Sequence, residues 1–171
     1  MDGPELSGDI VLPDQGTARY RGRAGGIYAQ SYGSDTAYDG ATEMGEYVGD
    51  LAMRADFVAG TLSGEINAGA FDGIFVFADG QTMPFSETNS DVRLILKTTR
   101  INADGSAAGE TELIWPGLTI TRQDGSWGNR LSSIKNTAGH PRGLAGTHGG
   151  SAVTSGGSEV VFVGAHAGVA F

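Results

Sequence analysis

Three histidines, His140, His148 and His166, are the only imidazoles in a chain of 171 residues that has no cysteine. Metal-binding pairs need both side chains on one face, at i,i+2 on a strand or i,i+4 on a helix. Separations of 8 and 18 residues satisfy neither spacing. His140 precedes Pro141 and His148 precedes Gly149-Gly150, so these histidines read as solvated loop residues. The competing chemistry for a loop imidazole is axial ligation of haem iron. Ser132-Ser133-Ile134-Lys135 spells S-x-x-K. In serine enzymes that use this motif a helix brings the lysine to the serine, whereas here the surroundings read as a strand, where positions three apart face opposite ways. G-x-S-x-G, H-E-x-x-H and phosphate-loop patterns are absent. The expectation is a protein that is not an enzyme and carries neither cofactor nor metal.

The residues suited to recognition are of other types. Tyr28, Tyr32, Tyr38 and Tyr47 run through one stretch with Gly33 and Ser34 between them, and mixtures of Tyr, Ser and Gly suit adaptable protein contacts. Asp35, Asp39, Glu43 and Glu46 lie in the same stretch without the 1-3-5-12 spacing of a calcium loop. They read as solvated carboxylates that would favour a basic partner. Arg19, Arg21 and Arg23 share one parity, with Tyr20 and Tyr28 on the other. These arginines read as a solvated outer face balanced by Asp50, Arg54 and Asp56 on the next strand through cross-strand ion pairs, or as a docking stripe for an acidic ligand. Tyr28, Tyr32, Tyr38, Tyr47, Arg19, Arg21 and Arg23 are therefore the candidate partner-binding residues.

The elements that must position these groups read as strands. Tyr47, Leu51, Met53, Ala55 and Phe57 alternate with Asp50, Arg54 and Asp56 over Glu46–Val58, the period of a half-buried strand. Ala59-Gly60 follows, then a second alternating run, so Ala55–Ile66 reads as a hairpin turning near Val58–Thr61. Further strands are expected at 74–78, 92–101, 110–115, 118–122, 127–134, 143–151 and 158–171. Asp-Gly at 39–40, 72–73, 79–80, 104–105 and 124–125, and Pro116-Gly117, read as turns. No helical stripe runs for ten residues. The expected fold is all-β: a single antiparallel, up-and-down barrel of roughly eight strands, soluble and with a filled interior, over residues 17–171. Residues 1–16, with Gly3, Pro4, Gly8, Pro13 and Gly16, form an extended lead-in.

The composition limits the function classes. The formal charge is −9, opposite to the basic footprint a nonspecific nucleic-acid binder needs. Apolar residues make up 39% and are scattered, so no run approaches the ~20 residues of a spanning helix. The first residues lack the basic start and apolar stretch of a signal peptide.

Ala55-Asp56-Phe57-Val58-Ala59-Gly60-Thr61-Leu62-Ser63-Gly64-Glu65-Ile66 resembles the V-D-F-x-x-G-T-L-S-G-x-I hairpin of the transferrin-binding protein B-like β-barrel family. Gly16–Gly22 resembles that family's opening strand, and Gly125–Leu131 its G-x-W-G-G-x-F-like strand. Leu144–Thr147 is similar to its A-G-T-F element and Gly156–Ala165 to its closing strand. The order agrees over about residues 16–168. The resemblance implies an eight-stranded barrel of a bacterial surface lipoprotein, of the kind also seen in factor H-binding protein, which binds ligands through variable loops. It implies a non-enzymatic, exported binding protein at the outer membrane surface or in the periplasm. The partner would be a protein or small exported ligand, the state a monomer, and the only membrane contact an N-terminal lipid anchor. The family's lipid-bearing cysteine is absent from the chain. Two alternatives are a membrane-embedded eight-stranded barrel, suggested by terminal Phe171, and a lipocalin-like carrier of a small molecule such as haem.

Overall fold

The computed structural model describes residues 10–171, Asn89 by its backbone alone. Eight strands follow in order: β1 (Thr17–Ser31), β2 (Thr42–Asp56), β3 (Thr61–Val76), β4 (Thr82–Arg100), β5 (Ser106–Ile114), β6 (Ile120–Leu131), β7 (Gly143–Thr154) and β8 (Glu159–Ala170). Each pairs antiparallel with the next, and β1 pairs with β8 from Tyr20↔Ala170 to Ser31↔Glu159. The sheet thus closes on itself as an up-and-down barrel, which removes its edges. The described residues contain no helix.

The facing follows the period of two. On β2, Leu51, Met53 and Ala55 point into the barrel and Asp50 and Arg54 point out. The Ala55–Ile66 hairpin is present, with Ala55 opposite Leu62 and Asp56 opposite Thr61, and Gly60 takes a φ of 64° in its turn. An eight-stranded barrel has room only for its own side chains, and the cross-strand pairs meet that limit by setting large against small. Tyr47 lies opposite Gly26, Tyr28 opposite Gly45 and Leu51 opposite Gly22. Leu62, Ile66, Leu94, Leu96 and Trp127 complete the buried core.

Several expected boundaries shift. The runs expected at 61–66 and 74–78 are one strand, β3, and those at 118–122 and 127–134 are mostly one strand, β6. On β3 the inward parity changes from Leu62, Ile66 and Ala68 to Phe71 and Phe75. The register against β4 slips between Ala68 and Ala70, as an extra residue does in a bulge. Asp72-Gly73 and Asp124-Gly125 are mid-strand, not turns. At Gly73 a side chain would collide with the Met44 carbonyl, and at Gly125 with the Thr111 hydroxyl, so both glycines serve close packing. Gly40, Gly80, Gly105 and Gly117 do sit in turns, at φ of 78–86°. Ser132–Lys135 belongs to the β6–β7 connection, not to a strand. Of the lead-in, residues 1–9 lie outside the described residues. Ile10 and Leu12 pack against the core at the end of the barrel where β1 starts.

Phe57 follows β2 at 7% exposure and stacks on His140 with centroids 5.4 Å apart. Phe57→Ala is expected to cost about 3–5 kcal/mol in urea unfolding. Neighbouring Val58→Ala, at an exposed turn position, should stay within about 0.5 kcal/mol. A Phe57 loss below about 1 kcal/mol would contradict the facing of β2.

Candidate functional site

One end of the barrel carries the connections 32–41, 77–81, 115–119 and 155–158, and it is left open by a mismatch in strand length. β4 has 19 residues and β5 nine. β5 pairs with β4 only at Arg93–Leu96, so Thr82–Thr88 bond to β3 on one side and, among the described residues, overhang without a partner strand on the other. The gap is a cleft of about 310 Å³. Its walls are Tyr32 and Tyr38 from the β1–β2 connection, Phe85 and Glu87 from the overhang, and Trp115 and Leu118 from the β5–β6 turn. Glu43 and Gln30, cross-strand partners on β2 and β1, lie at its base.

Glu43 is 3% exposed. The Tyr28 hydroxyl donates to its Oε1, and the Tyr32 hydroxyl donates to its Oε2 at 2.6 Å. Among the described residues no cationic group lies within ion-pair distance of it. Burial, and then the bond to Glu43, push both tyrosine hydroxyls well above their usual range, so they remain protonated donors. Aromatic rings surround this carboxylate. Tyr32, Tyr38 and Phe75 form a triangle with centroids 5.2–5.9 Å apart, and Tyr28, Tyr47 and Trp115 pack around Phe71. Rings beside a carboxylate form a cation-selective environment, because the ring face and the carboxylate both attract positive charge.

The tyrosine-bearing connection is tied by hydrogen bonds to the turn before β8. The Ser158 hydroxyl donates to Asp35 Oδ1 at 2.6 Å and the Thr154 hydroxyl donates to Oδ2. The Ser34 amide donates to the Gly156 carbonyl at 3.0 Å. The two hydroxyls hold the Asp35 carboxyl below the usual carboxylate range. Beside the mouth the outer wall carries Ile27, Met44, Val161 and Val163 around a shallow apolar hollow of about 460 Å³.

The seven candidate residues separate into three groups. Tyr32 and Tyr38 flank the cleft, Tyr38 at 52% exposure. Tyr28 and Tyr47 are buried inside the barrel, because they lie within β1 and β2 and share the inward parity of Tyr20 and Leu51; neither belongs to a surface loop. Arg19, Arg21 and Arg23 lie on the outer face of β1, away from the tyrosines. Arg23 pairs with Asp50 at 2.6 Å, Arg21 lies over the Phe171 ring, and Arg19 is opposite Arg54. The carboxylates expected to be solvated also separate, since Glu43 is buried.

His148 and His166 are not loop residues. They lie on β7 and β8, face inward and are almost wholly buried. The Nδ1 atoms are 3.1 Å apart, the Tyr47 hydroxyl is 2.6 Å from His148 Nε2, and Asn129 Nδ2 is 3.3 Å from His166 Nε2. Two facing Nδ1 atoms can share one proton only, so two neutral rings satisfy the contact and two charged rings cannot. Burial holds both pKa values down to about 4, and for His148 the charge of His166 adds to it. The spacing rule missed this pair because the two rings meet across strands. Period two did contain the signal: His148 has the parity of Leu144 and Ala152, and His166 that of Val160 and Phe162. No group of three or more His, Asp or Glu side chains suited to a metal ion occurs among the described residues.

No protein-family model matches the chain, and no curated protein is significantly similar to it.

Two outcomes follow from these networks. Unfolded imidazoles titrate near 6.5 and these two near 4. Between those values the unfolded chain holds more protons, so the contribution of the pair is present above about pH 6.5 and is lost as pH falls toward 4. Moving from pH 7 to pH 5 should cost about 2 kcal/mol per imidazole. Urea midpoints at the two pH values check this, and a folded His148→Gln/His166→Gln variant should lose most of the difference. In the second, Asp35→Ala should speed amide hydrogen exchange at Gly33 and Ser34 while leaving the β2–β3 ladder protected. Unchanged exchange at those amides would show that the clasp does not hold the loop.

Proposed function

We propose that the chain is a non-enzymatic binding protein that engages a basic partner through the open mouth of its barrel. One observation carries this reading: the Glu43 carboxylate is buried beneath an aromatic cleft, with a tyrosine on each oxygen and no cation beside it among the described residues. A buried, unpaired charge is costly, and a cationic group entering the cleft would offset that cost. Tyr32, Tyr38 and Trp115 supply the contact area typical of recognition surfaces. The apolar wall around Ile27 and Val163 extends this area, favouring a protein partner over a free small molecule. The net charge of −9 would steer such a partner, with an effect that weakens as salt rises.

In this reading the chain is a transferrin-binding protein B-like barrel exported to the outer membrane surface or periplasm, a reading supported by the motif resemblance and compatible with the closed eight-stranded barrel. Two features count against the alternatives. The void in the barrel interior beside Phe71 measures about 30 Å³, far below the ~300 Å³ and more of sites for drug-sized ligands, so a lipocalin-like interior site has no room. The outer wall carries Arg19, Arg21, Arg23, Asp50, Arg54, Arg93 and Lys97, and a cation facing the bilayer midplane costs ~2–4 kcal/mol. These charges favour a wall in water.

Trp115 lines the cleft and the chain has only one other tryptophan, the buried Trp127, so tryptophan emission reports on the site. A hexa-arginine peptide should change that emission saturably at low salt, more weakly at high salt, and a hexa-glutamate peptide should not. Tyr32→Ala/Tyr38→Ala, with the fold intact, should weaken the response at least about tenfold, the loss of two aromatic contacts. A response that survives this substitution would remove the two tyrosines from the site, whereas a response to hexa-glutamate alone would turn attention to Arg19, Arg21 and Arg23. Fractionation of the source cells tests the compartment.

A further inference from the structure

The base of the cleft restricts which cation fits. Gln30 is 5% exposed, and its Oε1 has no hydrogen-bond partner among the described residues. It lies opposite Glu43 in the β1–β2 register and lines the same cleft. A buried acceptor without a donor costs free energy that a hydrogen-bonding ligand recovers and a merely charged one does not. Each Glu43 oxygen receives one tyrosine hydroxyl and keeps lone-pair capacity, since a carboxylate accepts about four bonds. Glu87 adds a further carboxylate on the wall. The base and one wall therefore offer hydrogen-bond acceptors, while the remaining walls are largely rings. Rings and negative charge alone would accept a quaternary ammonium group. Unfilled acceptors at the base require N–H groups as well.

We propose that the mouth cleft is selective for a cation bearing N–H donors, the guanidinium or primary ammonium of an arginine or lysine side chain, and that Gln30 determines this selectivity against quaternary ammonium groups. The inference rests on the mouth being the binding site, and it adds the chemistry of the group that enters. A trimethylated lysine keeps its charge and its attraction to the rings but leaves Gln30 and the free lone pairs of Glu43 unsatisfied. A site built to bond N–H groups rejects such an analogue more strongly than its size would suggest.

The test titrates the full chain, followed by tryptophan emission and by amide chemical shifts, with four probes: acetyl-arginine amide, acetyl-lysine amide, acetyl-trimethyllysine amide and uncharged acetyl-norleucine amide. The arginine and lysine probes should bind at least about tenfold more tightly than trimethyllysine, the equivalent of one charge-assisted hydrogen bond, and norleucine should not bind. Gln30→Leu, checked for fold by its amide spectrum, should narrow the preference for lysine over trimethyllysine at least about threefold, the remainder being due to Glu43. Glu43→Gln should weaken all three cations together. Equal binding of lysine and trimethyllysine by the native chain would overturn the inference and leave the mouth as a cation site. A preference for trimethyllysine would do the same and indicate an aromatic cage. Unchanged discrimination in Gln30→Leu would remove Gln30 from the role. Absence of binding by every cation, with no shifts at Tyr32, Tyr38 or Trp115, would overturn both the inference and the reading beneath it.

Discussion

Closing eight strands into a ring fixes the interior volume, and most of the other features of the barrel depend on that limit. The interior takes side chains only in complementary sizes, and across β1 and β2 two of its tyrosines sit against glycines: Tyr28 against Gly45 and Tyr47 against Gly26. A tyrosine ring in a core brings a hydroxyl that needs a partner. The Tyr47 hydroxyl meets His148, the Tyr28 hydroxyl meets Glu43, and the Tyr20 hydroxyl donates to the Pro141 carbonyl at 3.1 Å. Filling the barrel with large aromatic residues and placing polar groups within it are one design decision.

The polar groups are divided by depth. In the middle of the barrel Tyr47, His148, His166 and Asn129 contact one another in a row, and burial disfavours a charge on either ring. Near the mouth, Glu43 keeps a carboxylate with donors but without a countercharge among the described residues. These two networks have opposite consequences. The first resists protonation and ties stability to pH. The second gains from an incoming positive charge, which is the property expected of a recognition site and not of a structural one.

The fold was legible wherever one period governed a whole strand. Leu51, Met53, Ala55 and Phe57 were assigned to the interior from alternation alone and lie there. Legibility failed where two periods meet. The bulge near Gly69 reverses the parity of β3, so a continuous strand looked like two. Asp-Gly marks a turn at Gly80 and Gly105 and a close strand approach at Gly73, because the same missing side chain serves both purposes. The site was half legible. Tyr32 and Tyr38 could be picked out by composition, and Tyr28 and Tyr47 had the parity of Tyr20 and Leu51, but the facing of Glu43 depends on β2 beginning at Thr42. The His148–His166 contact depends on the register of β7 against β8, which separation in sequence does not report. The Arg19–Arg21–Arg23 parity was legible, and its cross-strand pair Arg23–Asp50 is the ordinary outcome for exposed charges.

The open mouth is a local exception to the rule that closes the barrel. Had β5 matched β4 in length, the overhang at Thr82–Thr88 would have had a partner strand, and Glu43 would lie under a continuous wall. The nine residues of β5 leave Phe85, Glu87 and Trp115 around a gap instead. An open gap beside a loop would ordinarily be floppy, and ordering it on binding would cost affinity. Here Asp35 ties the tyrosine-bearing connection to the turn before β8. For the proposed partner this means that the rings are already arranged, so that little ordering would have to be offset on binding. The short strand leaves the mouth open, the Asp35 clasp holds its shape, and under the proposed reading the buried Glu43 carboxylate is what a positive charge would meet there.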